Sequence, residues 1–277
     1  MRAHLSIAAL LLLTLLADQR GQAQSLYNSG GFELPRFVVQ KPLEGQDLLN
    51  PWQKDAGTST AVVQTNQSAD PLPQFQSVLV TRAAESTGDT RWWVAAPSTP
   101  GGGAIVNIDF DLNVNVAPVL TTSGPLFGMQ AFDTSSGTAK SIGGVFMDAA
   151  QGRLLKADTG TGTLSPTGQF LSRDVYHHVT LSLDFDGDHY TILIDGQPVQ
   201  TESFVDANIA TFSFAAITVL AGDSQTQTGK AYFDNYAISQ VPEPTPGVLA
   251  TISVVGFILR RRHRASEFDA DKSQSSE

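Results

Sequence analysis

Acidic pairs and histidines are the groups through which this chain could do acid–base chemistry. Asp109-Phe110-Asp111 sets two carboxylates one residue apart, and on a strand both side chains share one face. A sugar-cleaving strand of the Glu-x-Asp-x-Glu kind needs a third acid, and none follows here. Asp184-Phe185-Asp186-Gly187-Asp188 is the densest acidic cluster. It lacks the later Glu of a calcium loop and its glycine comes too early, so it reads as a hairpin turn between two strands. His177, His178 and His189 are the histidines of the central region. Neighbours on a strand point to opposite faces, so His177 and His178 cannot share one metal; an approach of His178 and His189 across the hairpin would still lack a third ligand, so all three read as polar surface or satisfied strand positions. There is no Gly-x-Ser-x-Gly elbow, and Gly101-Gly102-Gly103 precedes a strand rather than a phosphate-binding helix. These gaps predict a chain without enzymatic activity.

Aromatic side chains offer a second kind of chemistry, the stacking of sugar rings. Trp92 and Trp93 are adjacent. On a strand Trp92 shares the face of Val94 and is predicted in the core, while Trp93 shares the face of Arg91 and is predicted toward solvent. Trp93 and Arg91 are therefore the candidate ligand-binding residues.

These residues sit in a background of 277 residues with 24 Gly, 14 Pro and no Cys. The absent cysteine excludes disulfides, thiolate metal sites and a cysteine nucleophile. Between residues 24 and 241 there are ten Lys and Arg against 21 Asp and Glu, a net charge of −11. That excludes nucleic acid as a main partner and suits divalent cations or neutral glycans. Period-2 alternation runs through 104–114 and 178–185 and on into 190–194, and 75–81, 126–132, 141–147, 211–220 and 230–238 read as further strands. About twelve short strands with one buried face each predict a two-sheet antiparallel sandwich over residues 24–240. The Gly-, Thr- and Ser-rich stretch from Asp133 to Gly168 leaves its strand limits open.

Both ends read as addresses. Residues 1–23 carry an early Arg, an apolar run from Leu5 to Ala17, and small residues at Gly21 and Ala23. This predicts a signal peptide cleaved between Ala23 and Gln24. The other end has Val241-Pro242-Glu243-Pro244, a 13-residue apolar run Gly247–Leu259, a basic cluster Arg260-Arg261-Arg262-His263-Arg264, and a polar acidic tail over 265–277. As a helix the apolar run spans roughly 20 Å, short of a bilayer core, and the arginines would hold its C-terminal side in the cytoplasm.

This three-part ending resembles the PEP-CTERM sorting signal, here spanning residues 241–264. The resemblance implies recognition by an exosortase, a membrane contact before processing, an exopolysaccharide association, and an envelope, outer-surface or matrix location in a Gram-negative-type bacterium. The 13-residue tail beyond the arginines departs from the usual layout, and a plain single-span anchor is the alternative. Tyr176-His177-His178-Val179 with Asp184, Tyr190 and Ile194-Asp195-Gly196 is similar to the central hairpin of laminin-G-like (LamG), concanavalin-A-like jelly rolls, with Tyr176 in place of the usual Trp. Gly31-Phe32-Glu33 and Phe233-Asp234-Asn235 resemble the opening and closing strands of carbohydrate-binding jelly rolls. That resemblance implies a structural calcium at Glu33 and Asp234, with no cofactor otherwise required. The sequence thus predicts a non-catalytic exported surface or matrix protein. The alternatives are a calcium-stabilised carbohydrate-binding module and, third, a divergent polysaccharide-cleaving enzyme.

Overall fold

The computed structural model describes residues 23–242, except 56, 66–68, 70–74, 85–87, 101–103, 119–120 and 224. The predicted signal peptide up to residue 22, Glu243, Pro244, the apolar run 247–259, the arginine cluster and the acidic tail lie outside the described residues. In chain order the strands are β1 Gln24–Asn28, β2 Gln53–Lys54, β3 Thr60–Gln64, β4 Ser77–Arg82, β5 Thr90–Pro100, β6 Ala104–Val114, β7 Leu126–Asp133, β8 Lys140–Asp148, β9 Arg153–Ala157, β10 Leu164–Phe170, β11 His177–Asp184, β12 His189–Ile194, β13 Gln197–Ser203, β14 Thr211–Leu220 and β15 Gly229–Pro242. They form two antiparallel sheets. Sheet A runs β13-β12-β11-β6-β15-β4-β3, with β1 also on β15; sheet B runs β10-β9-β8-β7-β14-β5-β2. No helix occurs among the described residues. The architecture is the expected all-β, two-sheet sandwich of jelly-roll type.

Alternation builds sheet A. Val106, Ile108, Phe110 and Leu112 of β6, with Val179, Leu181 and Leu183 of β11, are buried against the other sheet. Their polar neighbours Asp109, Asp111, Thr180 and Ser182 stand on the outer face. Sheet B breaks the rule. Its inner face supplies Phe127, Met129, Val145, Met147 and Ile217 to the main core. On its outer face Leu126, Phe146 and Leu155 form a second buried cluster with Leu164 and Leu220. That is why 141–147 reads as a nearly continuous apolar run. Gly143 is a required gap: a Cβ there would stand 2.7 Å from the Tyr190 ring, which crosses from sheet A to donate from its hydroxyl to Ala157 O at 2.5 Å.

Both Asp-Gly turns are hairpins, by different means. At Asp195-Gly196 both residues have positive φ, 51° and 76°, as a two-residue turn of the primed kind requires. In the β11–β12 turn the positive φ belongs to Asp188, not to Gly187. There the Asp184 carboxylate accepts the N–H groups of Asp186 and Gly187, and a Cβ on Gly187 would collide with His189 Nδ1 at 2.3 Å.

Candidate active site

Strand register, rather than spacing along one strand, assembles the acid–base group. β6 and β11 pair so that His178 faces Asp111 and Thr180 faces Asp109, all four on the outer face of sheet A. Asp111 Oδ1 lies 2.7 Å from His178 Nδ1, and Asp109 Oδ1 lies 3.7 Å from His178 Nε2. Thr180 Oγ1 donates to Asp109 at 2.6 Å. Asn235 Nδ2 donates to the other oxygen of Asp111 at 2.7 Å. Asn235 reaches it because β15 is irregular here: φ is 49° at Asn235, and Phe233 and Tyr236 both point into the core. Tyr176 lies beside this array, bonded to Ser77; burial raises its phenol pKa, and the nearby Asp234, Tyr232 and Asp111 add to the rise.

An ionised carboxylate only accepts, so in the neutral imidazole a charged Asp111 would take the Nδ1 proton's hydrogen bond and leave the lone pair on Nε2. The His178 side chain is 46% exposed. Asn235–Asp111–His178 is therefore a base held by an orienting acid, itself held by an amide. The sequence pairs the two aspartates but hides His178 and Asn235, which come from other strands.

The other histidines stay apart from this group. His177 points to Asp195 and to Ser172 O, at 3.4 and 3.0 Å. His189 sits beside Asp184, 3.7 Å away. An approach of His178 and His189 does not occur, because the antiparallel register sets His189 opposite Asp184 at the turn end of β11 and leaves His178 at the other.

On the outer face of sheet B, Trp92 and Trp93 divide as alternation predicts. Trp92 is fully buried; Trp93 is half-buried on the outer face. The Trp93 ring lies 4.7 Å from that of Phe214, and Phe214 stacks on Phe132 at 5.0 Å. Arg91 Nε donates to Gln130 Oε1 at 3.1 Å, with its guanidinium 5.6 Å from the Phe132 ring centre. Arg91 can cross β14 because the residues beneath it, Ala216, Thr218 and Gly128, are small. A row of rings beside a cation and an amide suits the face and hydroxyls of a sugar.

Glu33 and Asp234 are brought together. A Cβ on Gly31 would lie 3.6 Å from Asp234 Oδ1 and 3.7 Å from Glu33 Cγ. Both carboxylates already accept backbone N–H groups, Glu33 from Gln76 and Asp234 from Ala69 and Asn235. Among the described residues no group of three or more His, Cys, Asp or Glu is placed to hold a metal. Of the end residues, Ala23 is exposed, Gln24 opens β1 opposite Gln240, and Val241 and Pro242 close β15.

No known protein family matches the sequence, and no curated protein does. Solved structures do. A sialidase matches with a TM-score of 0.46 at 11% identity over 58% of this chain; the chain spans 15% of that protein's length. A cellulose-induced protein matches at 0.48 and 14% identity, over 68% of this chain and 90% of the other. A marine alginate lyase of polysaccharide lyase family 7, from Zobellia galactanivorans, matches at 0.45 and 11%, over 59% and 77%. The expectation of a non-catalytic protein is corrected on this comparison: a sialidase and several alginate lyases are among the similar structures. A search along single strands for a carboxylate triplet does not reveal the histidine–carboxylate group, which is built across strands.

Proposed function

We propose that this chain is a polysaccharide-processing hydrolase whose general base is His178. The observation that carries this reading is the chain of hydrogen bonds Asn235–Asp111–His178, which fixes the imidazole with Nε2 free beside Asp109. Nε2 would take the proton of a water attacking the substrate carbon, Asp111 would steady the imidazolium, the imidazolium would return that proton to the departing sugar oxygen as its bond to that carbon breaks, and Asp109, bonded to Thr180, would help hold the water. The surrounding acidity favours an uncharged glycan or an ester substituent on one, because an anionic sugar would be repelled. The Arg91 and Trp93 face would grip a second stretch of glycan away from the chemistry. In this reading the sandwich is of the concanavalin-A-like kind, and the chain is exported by its signal peptide and sorted by an exosortase to the cell surface. A structural calcium at Glu33 and Asp234 would need backbone carbonyls to reach six to eight oxygens.

The test is release of reducing ends and of acetate from a panel of neutral, acidic and acetylated polysaccharides. His178→Gln should lower the rate about 10²–10⁴-fold with unchanged melting temperature, and Asp111→Asn should lower the rate and shift the pH profile. No release by the unaltered protein from any member of the panel, or equal release by His178→Gln, would sink the proposal.

A further inference from the structure

Two neighbouring leucines stand in water where turn chemistry calls for polar residues. Leu48 is 94% exposed and Leu49 is 87% exposed. They occupy the centre of the turn Asp47–Asn50, closed by Asn50 N–H to Asp47 O at 3.0 Å. Gly, Asn, Asp and Ser are usual at such positions. The turn is not loose. Asp47 is buried and accepts from the Tyr27 hydroxyl at 3.1 Å and from Arg36. The Gln46 side chain accepts from Val38 N–H and donates to Pro42 O, at 2.5 and 2.7 Å. Behind it Trp52, Tyr27, Phe32 and Tyr236 pack ring to ring. The leucines are held out on a rigid pedestal and cannot fold back onto the core.

The position of the turn is equally informative. β15 begins opposite Arg82, and Arg82 Nη1 bonds Gly88 O just before β5 begins. Both strands therefore start at one end of the sandwich and run to the other, where Pro242 closes β15. β2 is antiparallel to β5, so the chain preceding it, including the turn, lies toward that second end. The turn thus lies on the side of the body from which the chain leaves, where Asp47 meets Tyr27 and Tyr27 pairs with Ile238 near the end of β15, and the exit is four residues before the apolar run Gly247–Leu259. Two leucines are too small a patch for a stable protein interface, which takes about 800 Å² from each partner. Insertion into the boundary between headgroups and acyl chains needs only a few apolar side chains.

We infer that Leu48 and Leu49 insert into the surface of a lipid bilayer and orient the domain on it. The inference rests on reading Gly247–Leu259 as membrane-seeking. The absence of cysteine makes the test direct. Full-length L48C, and V116C as a control at the opposite end, where Val116 is exposed and its neighbour Asn115 bonds Lys230 O at the start of β15, would each carry an environment-sensitive dye. Vesicles of phosphatidylethanolamine and phosphatidylglycerol would be prepared with and without brominated acyl chains. The dye at position 48 should shift to the blue and be quenched by the brominated lipid at least about threefold more than the dye at 116. Flotation with the vesicles but equal quenching at the two positions overturns the inference and leaves the anchor reading standing. Failure to float overturns both.

Discussion

Asp133 ties the rings of sheet B in place, and its removal should be costly in a pH-dependent way. It ends β7, next to Phe132, and is 1% exposed. One oxygen accepts from Ser135 N–H and the Thr211 hydroxyl at 2.8 and 2.9 Å; the other accepts from Ala210 and Thr211 N–H at 2.9 and 3.2 Å. Asp133→Asn turns one acceptor into a donor and strands two of these four donors. At ~1–3 kcal/mol for each unsatisfied group, the loss is about 3 kcal/mol, or roughly 6–12 °C in melting temperature for a domain of this size. Burial pushes the carboxyl pKa up, but the hydrogen bonds from Ala210, Ser135 and Thr211 outweigh it and hold the group well below its usual range. A depressed folded pKa means a contribution that is full above the unfolded value of about 3.9 and lost as pH falls toward the folded value. Thermal melts of both proteins at pH 7 and at steps down to pH 3 read this directly. The gap between them should be widest at neutral pH and should narrow below about pH 4. A gap absent at pH 7, or constant across the range, would refute the reasoning.

Trp93→Ala should weaken retention on a polysaccharide gel about tenfold while hydrolysis of small soluble substrates is unchanged; equal retention would remove the sugar grip from that face. Changing Pro242, Glu243 and Pro244 together to alanine should leave unprocessed protein in the membrane fraction of a host with the exosortase, and an unchanged processed size on immunoblotting would end the sorting proposal. If calcium is held at Glu33 and Asp234, excess EDTA should lower the melting temperature and added calcium restore it; superimposable melts would dismiss the ion.

Strands that bury one face and wet the other are legible in the sequence, and β6, β11 and β12 lie within a residue of where alternation puts them. What escaped has other causes. β2 has two residues, and β10 and β13 are edge strands carrying Pro166 and Pro198. Such strands give few side chains to the core, so no periodic signal marks them. The site was half legible for a similar reason. Asp109 and Asp111 share a face by chain geometry alone, and so do Arg91 and Trp93. Pairing them with His178 and Asn235, or with Gln130 and Phe214, requires knowing which strands are neighbours and in what register. Asn235 adds a local irregularity in β15 that no alternation pattern contains.

The placement of β15 bears on how the molecule would carry a load. Its C-terminal end, Pro242, is where any tether through the later sequence would pull. β15 is no edge strand: it runs between β6 and β4, with β1 paired along its last stretch. Tension applied along it strains the ladder bonds of its neighbours together, in shear, instead of peeling them one at a time. A body hauled by its last strand would resist flow and drag far better than the same sandwich pulled from β13 or β10, whose bonds would open like a zip.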